Sequence, residues 1–287
     1  MEKYRNIRSL KKRVQEIKRK GRKIGLVPTM GFLHQGHMSL IRRARKEADH
    51  VIVSIFVNPA QFGPKDDFKK YPRDLKRDLD LCEREGADII FAPEPKEMYS
   101  EGHSTYVNVE KIEDALCGAS RPGHFRGVAT VVTKLFNIVL PDIAYFGQKD
   151  SQQAILIKKM AEDLNMSVKI KVMPIVREKH GLAMSSRNIY LSQKECVQAQ
   201  SIYKSLKLAK ALFDDGERNA GKIISKMRQV ITKQSLAKID YVAIVDTENL
   251  KGIKNISGQA LVAVAVWFGK TRLIDNIILR QRPKYLL

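Results

Sequence analysis

Ile24-Gly25-Leu26-Val27-Pro28, then Thr29-Met30-Gly31-Phe32-Leu33-His34-Gln35-Gly36-His37, then a helical stretch from Met38 to Ala48, then Val51-Ile52-Val53-Ser54-Ile55-Phe56-Val57: the fold is decided in this stretch. The first run is short and apolar and reads as a buried strand, and the last is the clearest buried strand in the chain. Between them a turn rich in glycine and histidine opens into a helix. The order is therefore strand, turn, helix, strand.

The same alternation extends outward on both sides. Leu10, Val14 and Ile17 repeat at helical spacing ahead of the first strand. After Val57, a polar loop from Asn58 to Tyr71 leads into a helix around Leu75 to Glu85 and a short strand, Asp88-Ile89-Ile90-Phe91. Val128, Val131, Val132, Leu135 and Val139 mark an amphipathic helix, and Ile143-Ala144-Tyr145-Phe146 a strand ending at Gly147. A helix from about Asp150 to Leu164 and a strand from Val168 to Val172 follow. Such alternation predicts a parallel sheet covered by helices on both faces, with ligands at the carboxyl ends of the strands.

The rest of the chain has another pattern. Ser192 is placed to cap a long helix to about Phe213, closed by Asp214-Asp215-Gly216, and a second helix runs from Ala220 to about Lys233. Three extended runs follow, Ile239 to Val245, Ala260 to Phe268 and Arg272 to Leu279. The predicted fold class is α/β: a Rossmann-like parallel-sheet domain over residues 1–175 and a smaller C-terminal α+β domain over 176–287, with the boundary near Val176.

At 287 residues and 44% hydrophobic content the chain can bury a substantial core. Its longest apolar run, Ala260 to Phe268, is too short to span a bilayer. The segment from Met1 to Lys23 is basic and polar, without the apolar core of a secretory signal, and Glu2 and Glu16 do not suit a transit peptide. Cys82, Cys117 and Cys196 are widely spaced, with no CxxC pair, which argues against a disulfide framework or a cysteine zinc site. The expected location is the cytoplasm. A net charge of +21 reads either as attraction for anions or as a lysine-rich solvated surface. The basic residues are dispersed, and aromatic residues are not interleaved among them as base-stacking would require, so no nucleic-acid partner is expected.

Four stretches carry chemistry. In the turn from Met30 to His37, backbone N–H groups at a helix N-terminus attract phosphate. His34 and His37 there read as a phosphate-contacting pair, as a zinc pair lacking a third ligand, or as ordinary turn histidines. Phe146-Gly147-Gln148-Lys149-Asp150-Ser151-Gln152-Gln153 also sits at a strand's carboxyl end. Gly147 permits close approach, Lys149 offers a charge to phosphate, and Asp150 is suited both to capping the helix and to accepting hydrogen bonds from ribose hydroxyls. Asp150 and Gln153 are spaced to face one cleft. Gly181-Leu182-Ala183-Met184-Ser185-Ser186-Arg187-Asn188 reads as a phosphate-binding loop or as a solvated linker. Asn58-Pro59-Ala60-Gln61-Phe62-Gly63 supplies neutral amides, either to a hydroxy-acid substrate or to a polar turn. Arg121-Pro122-Gly123-His124-Phe125-Arg126-Gly127 is a further basic turn with no role assigned by its residues.

Taken together and in order, PTMGFLHQGH, SIFVNPAQFGP, YPRDLKRD, RPGHFRGVATVV, FGQKDSQQ, GLAMSSRN and GKTRLIDN resemble the pantothenate synthetase (pantoate–β-alanine ligase) family. The HxGH and MSSRN elements also resemble the two signatures of the wider adenylate-forming nucleotidyltransferases, including class I aminoacyl-tRNA synthetases. The resemblance implies an ATP-dependent ligase that joins pantoate to β-alanine through pantoyl adenylate, releasing pyrophosphate and AMP. It implies a homodimer and Mg²⁺ entering with ATP, held mainly by phosphate oxygens with Asp78 a nearby carboxylate. Residue by residue, it implies ATP binding by Met30, His34, His37, Gly147, Lys149, Asp150, Val176, Met184, Ser185, Ser186 and Arg187. Within that set His34, His37, Lys149 and Arg187 are catalytic, with His37 the suggested proton donor. Gln61 and Gln153 hold pantoate, and Gln61 also lies near β-alanine. Ala60 departs from the bulkier residue expected in many relatives. The competing expectation is another nucleotidyltransferase, or a synthetase fragment acting on RNA or a nucleotide.

Overall fold

The computed structural model describes residues 1–64 and 67–281. The predicted loop from Asn58 to Tyr71 therefore includes two residues, 65 and 66, outside the described ones.

The chain divides into two compact units. The first comprises Met1–Asp114, Gly118–Gln148 and Gln153–Val176, and the second Ala115–Cys117, Lys149–Gln152 and Arg177–Leu287. In chain order, the elements up to Val176 are β1 (Glu2–Tyr4), α1 (Ile7–Arg19), β2 (Ile24–Thr29), α2 (Gln35–Glu47), β3 (His50–Ile55), α3 (Leu75–Arg84), β4 (Ile89–Phe91), α4 (Pro95–Met98), α5 (Cys117–Ser120), α6 (His124–Val139), β5 (Ile143–Gly147), α7 (Ser151–Asp163) and β6 (Lys169–Met173).

The strands of the first unit form one sheet in the order β1-β4-β3-β2-β5-β6. Every pairing is parallel. The apolar runs that predicted β2 and β3 are buried on both faces, with Ile24, Leu26, Val27, Val51, Ile52 and Val53 all at 0% exposure. Leu33, Met38, Ile41 and Ala44 from the turn and α2 close over one side of this core with Tyr145. Hydropathy did not mark β1: its three residues, Glu-Lys-Tyr, carry no strand signal, and only the ladder to β4 makes them one.

The strand order places the site. From β2 the chain passes through α2 to β3 on one side, and from β5 through α7 to β6 on the other. Since β2 and β5 are neighbours, their carboxyl ends flank the point where the direction of winding reverses, the place where open α/β sheets receive ligands. The turn Met30–His37 leaves one of these ends, and Gly147 closes the other.

The second unit has α8 (Gln193–Asp214), α9 (Ala220–Thr232), β7 (Ala237–Asp246), β8 (Ala260–Phe268) and β9 (Thr271–Leu279). The strands form an antiparallel sheet in the order β7-β8-β9. Ser192 caps α8 in a reciprocal capping box with Glu195. Ile202, Leu206, Ile223 and Met227 of the helices pack with Val262, Val264 and Val266 of the central strand.

Candidate active site

At the carboxyl end of β2 the backbone turns sharply, and Phe32 takes a φ of 50°, a region bulky residues rarely enter. Asp78 of α3 holds this turn. It is 1% exposed, and its Oδ2 and Oδ1 accept the N–H groups of Phe32 at 2.7 Å and Leu33 at 2.8 Å. Burial raises its pKa, and the two backbone donors pull the other way. With each oxygen accepting one backbone N–H, Asp78 anchors the turn. Among the described residues no group of three or more His, Cys, Asp and Glu side chains is arranged to hold a metal ion.

The turn delivers His34 and His37 to the start of α2. His34 is the N-cap, its Nδ1 accepting the Gly36 N–H at 3.1 Å. The Nδ1 of His37 accepts the His34 N–H at 3.2 Å, which closes a capping box built from two histidines. The rings lie 4.1 Å apart between centroids. Because each Nδ1 accepts a hydrogen bond from a backbone N–H, each ring is neutral with its proton on Nε2. The pair is therefore two Nε2–H donors, side by side, at a helix N-terminus.

After β3, Pro59–Gln61 forms a 3-10 turn that carries Gln61, which is 7% exposed. Its Nε2 donates to Met30 Sδ at 2.8 Å and its Oε1 accepts from Asn58 Nδ2 at 3.2 Å, so Met30 and Gln61 are brought together. Asn58 also donates to the Gly127 carbonyl at 3.1 Å. The basic turn ahead of α6, which has no role by its residues alone, braces this loop. His124 Nδ1 donates to the Gln61 carbonyl at 2.8 Å, and Arg121 donates to His124 Nε2 at 3.1 Å. Gly127 lets α6 come this close: a Cβ there would lie 2.2 Å from the Ala60 carbonyl oxygen. Ala60 thus meets α6 through its backbone.

At the end of β5, a Cβ on Gly147 would meet nothing within 4 Å, so packing against the protein does not require a glycine there. Gln153 follows on the first turn of α7, partly buried. Val176 is partly buried beyond β6.

In the second unit, Lys149 Nζ sits 3.4 Å from Asp150 Oδ1, and Asn276 Nδ2 donates to the Lys149 carbonyl at 3.0 Å. The loop bearing Met184, Ser185, Ser186 and Arg187 ends in a 3-10 turn, Ser186–Tyr190, capped by Ser185 Oγ accepting from the Arg187 N–H at 3.3 Å. Its base is pinned by Arg177, which forms a bidentate pair with Asp275 at 2.6 and 3.0 Å and stacks on Tyr203 at 3.9 Å. Gly181 lies at φ +98°, and a Cβ there would approach Tyr203 to 2.5 Å. Asp275 is 1% exposed at its side chain; burial raises its pKa against the pull of Arg177.

Arg177, Asp275, Asn276 and His124 support the candidate site residues with no role assigned to them by the sequence reading, and Asn58, read there only as one of a stretch of neutral amides, joins them. The adjacent polar pair Asp275-Asn276 inside the apolar run Leu273 to Leu279 was a signal for two of them, since buried polar residues in a strand need partners.

The model of the pantoate-β-alanine ligase family matches residues 2–278. The chain is 56% identical over 277 residues to the pantothenate synthetase of Thermoanaerobacter pseudethanolicus, covering 96% of this chain and 97% of that one. The crystal structure of pantothenate synthetase from Thermus thermophilus is similar with a TM-score of 0.92 at 41% identity, covering 96% of this chain and 99% of that one. A pantoate-β-alanine ligase from Francisella tularensis, complexed with beta-gamma ATP and β-alanine, is similar with a TM-score of 0.80 at 36% identity over 97% of each chain.

Proposed function

The chain belongs to the pantoate–β-alanine ligase family, and from that premise we propose how its residues carry the family's reaction. The enzyme condenses pantoate with β-alanine at the expense of ATP. A pantoate carboxylate oxygen attacks the α-phosphorus of ATP and expels pyrophosphate. The amine of β-alanine then attacks the acyl carbon of pantoyl adenylate, and AMP leaves as the amide forms. Adenylation turns a poor acyl donor into a good one. The protein's share is positioning and stabilisation of charge.

One observation carries the division of labour: two imidazoles with Nδ1 held by backbone donors, at a helix N-terminus on the switch point of the sheet. Their Nε2–H groups face phosphate, and His37, the suggested proton donor, stabilises the leaving oxygen by donating a hydrogen bond from Nε2, since a neutral imidazole that gave up this proton would become an imidazolate. Met30 and Gly147 leave room for the nucleotide, Lys149 and Asp150 take phosphate and ribose, and the Val176 backbone takes adenine. Met184, Ser185, Ser186 and Arg187 close on the triphosphate, where Arg187 meets the developing charge. Gln61 and Gln153 hold pantoate, with Gln61 also near β-alanine. Among the described residues Gln61 Nε2 faces a thioether, and a substrate oxygen is a stronger acceptor. Mg²⁺ enters on the phosphates of ATP. Asp78 stays with the turn, and no step needs it as a ligand. We place the enzyme in the cytoplasm as a homodimer; among the described residues no helix is long and apolar enough to cross a membrane.

The test is ATP–pyrophosphate exchange with and without pantoate, followed by β-alanine. Exchange that needs pantoate, and AMP release that needs β-alanine, are the expected results. Folded protein that binds ATP but exchanges only with an amino acid or a nucleotide overturns the substrate assignment. In the same assay His37→Ala lowers exchange by about two orders of magnitude or more, and Gln153→Ala raises the KM for pantoate far more than that for ATP.

A further inference from the structure

Tyr99 lies in no motif quoted above, at the C-terminal end of the short helix α4. Its hydroxyl donates to Asn58 Oδ1 at 2.8 Å. Asn58 is 1% exposed, and both ends of its amide are engaged. Oδ1 also accepts the Ala60 N–H at 3.2 Å, and Nδ2 donates to the Gly127 carbonyl and to Gln61 Oε1. Because Asn58 offers Gln61 a donor, Gln61 must answer with its oxygen. Its NH₂ group then points the other way, at Met30 Sδ. The direction of donation runs along one chain, from the tyrosine hydroxyl through two amides to the group that meets substrate.

We propose that Tyr99 is a positioning residue for the acid substrate: by holding Asn58 it sets which end of the Gln61 amide faces the carboxylate or hydroxyl of pantoate. This rests on the assignment of Gln61 to pantoate. The tyrosine ring is itself held by an edge contact with His103, centroids 5.0 Å apart, and by Lys134 Nζ at 5.6 Å from its centre. A phenylalanine at this position keeps those ring contacts and removes only the hydroxyl.

The experiment is steady-state kinetics on the wild type, Tyr99→Phe, Gln61→Ala and the double variant, with unfolding curves to establish that each is folded. Tyr99→Phe raises the KM for pantoate about fivefold, the equivalent of one neutral hydrogen bond, and leaves the KM for ATP within about twofold. In the Gln61→Ala background the same change adds nothing, because the route from Tyr99 to substrate has been cut. A Tyr99→Phe enzyme with wild-type pantoate KM overturns the inference, as does an equal rise for ATP and pantoate. So does a fivefold effect that persists without Gln61, which marks Tyr99 as merely structural. Should Gln61→Ala itself leave the pantoate KM unchanged, the Gln61 assignment falls and this inference with it. A raised KM in Gln61→Ala beside an unaffected Tyr99→Phe removes the inference alone.

Discussion

Replacing Asp78 by alanine separates two jobs that a buried carboxylate near a nucleotide site can have. In the structure its oxygens accept two backbone N–H groups, from Phe32 and Leu33, at 2.7 and 2.8 Å. A hydrogen bond to a charged group contributes about 1.5–3 kcal/mol, so the two together are worth roughly 3–6 kcal/mol. Alanine also relieves the desolvation that raises the Asp78 pKa, which returns part of this sum. The net expectation is a loss of about 2–4 kcal/mol of stability, with the loss seated in the turn. The lone tryptophan, Trp267, lies in β8 of the second unit and is a poor reporter for this region. Hydrogen exchange over residues 31–37 is the direct assay: the Phe32 and Leu33 amides should lose protection in Asp78→Ala. Exchange activity should fall because His34 and His37 lose their footing, while the Mg²⁺ concentration for half-maximal activity stays put. Unchanged protection of those two amides, together with a raised Mg²⁺ requirement, would refute the anchor reasoning and restore Asp78 as a metal ligand.

Other outcomes follow from the same structure. Gly127→Ala places a methyl 2.2 Å from the Ala60 carbonyl oxygen, a backbone atom that cannot yield without moving Gln61. Overpacking of this kind costs about 1–3 kcal/mol, and the KM for pantoate should rise with it; wild-type values of both in denaturant titration and kinetics would contradict the close approach. Asp275→Ala strands the Arg177 guanidinium, which is 17% exposed at its side chain. Loss of one partner from a buried pair costs about 3–5 kcal/mol, readable in the unfolding midpoint by Trp267 fluorescence, and a shift under about 1 kcal/mol would show that the pair is dispensable. Glu47 is held at a pKa of about 2, below its usual 4.5, by Lys171 first, with Tyr145 and Arg43 also lowering it. A depressed carboxylate pKa contributes stability above the unfolded value, and that contribution drains away as pH falls from about 4.5 through about 2. Glu47→Gln should flatten stability against pH in that window, and an unaltered slope would mean that the cluster is not coupled to folding.

Much of the fold was legible because burial on both faces writes itself into composition. The apolar runs Ile24 to Pro28 and Val51 to Val57 need no partner to be recognised, and the helical spacing of Leu10, Val14 and Ile17 is equally local. β1 was illegible for the opposite reason, since Glu-Lys-Tyr becomes a strand only through its ladder to β4. The two histidines were visible as candidates but not as a pair of fixed tautomers, because that depends on which backbone N–H each Nδ1 meets.

By itself, then, the sequence determined the alternation of elements, the three extended runs of the second unit and the motifs that assign the family, all of which are properties of short contiguous stretches. Only the tertiary structure decided what Asp78, His124, Arg177 and Tyr99 do. Their partners lie 46, 63, 98 and 41 positions away in the chain. Hydrogen-bond direction and steric fit at such separations arise when the sheet brings distant segments together, and local pattern carries no record of them.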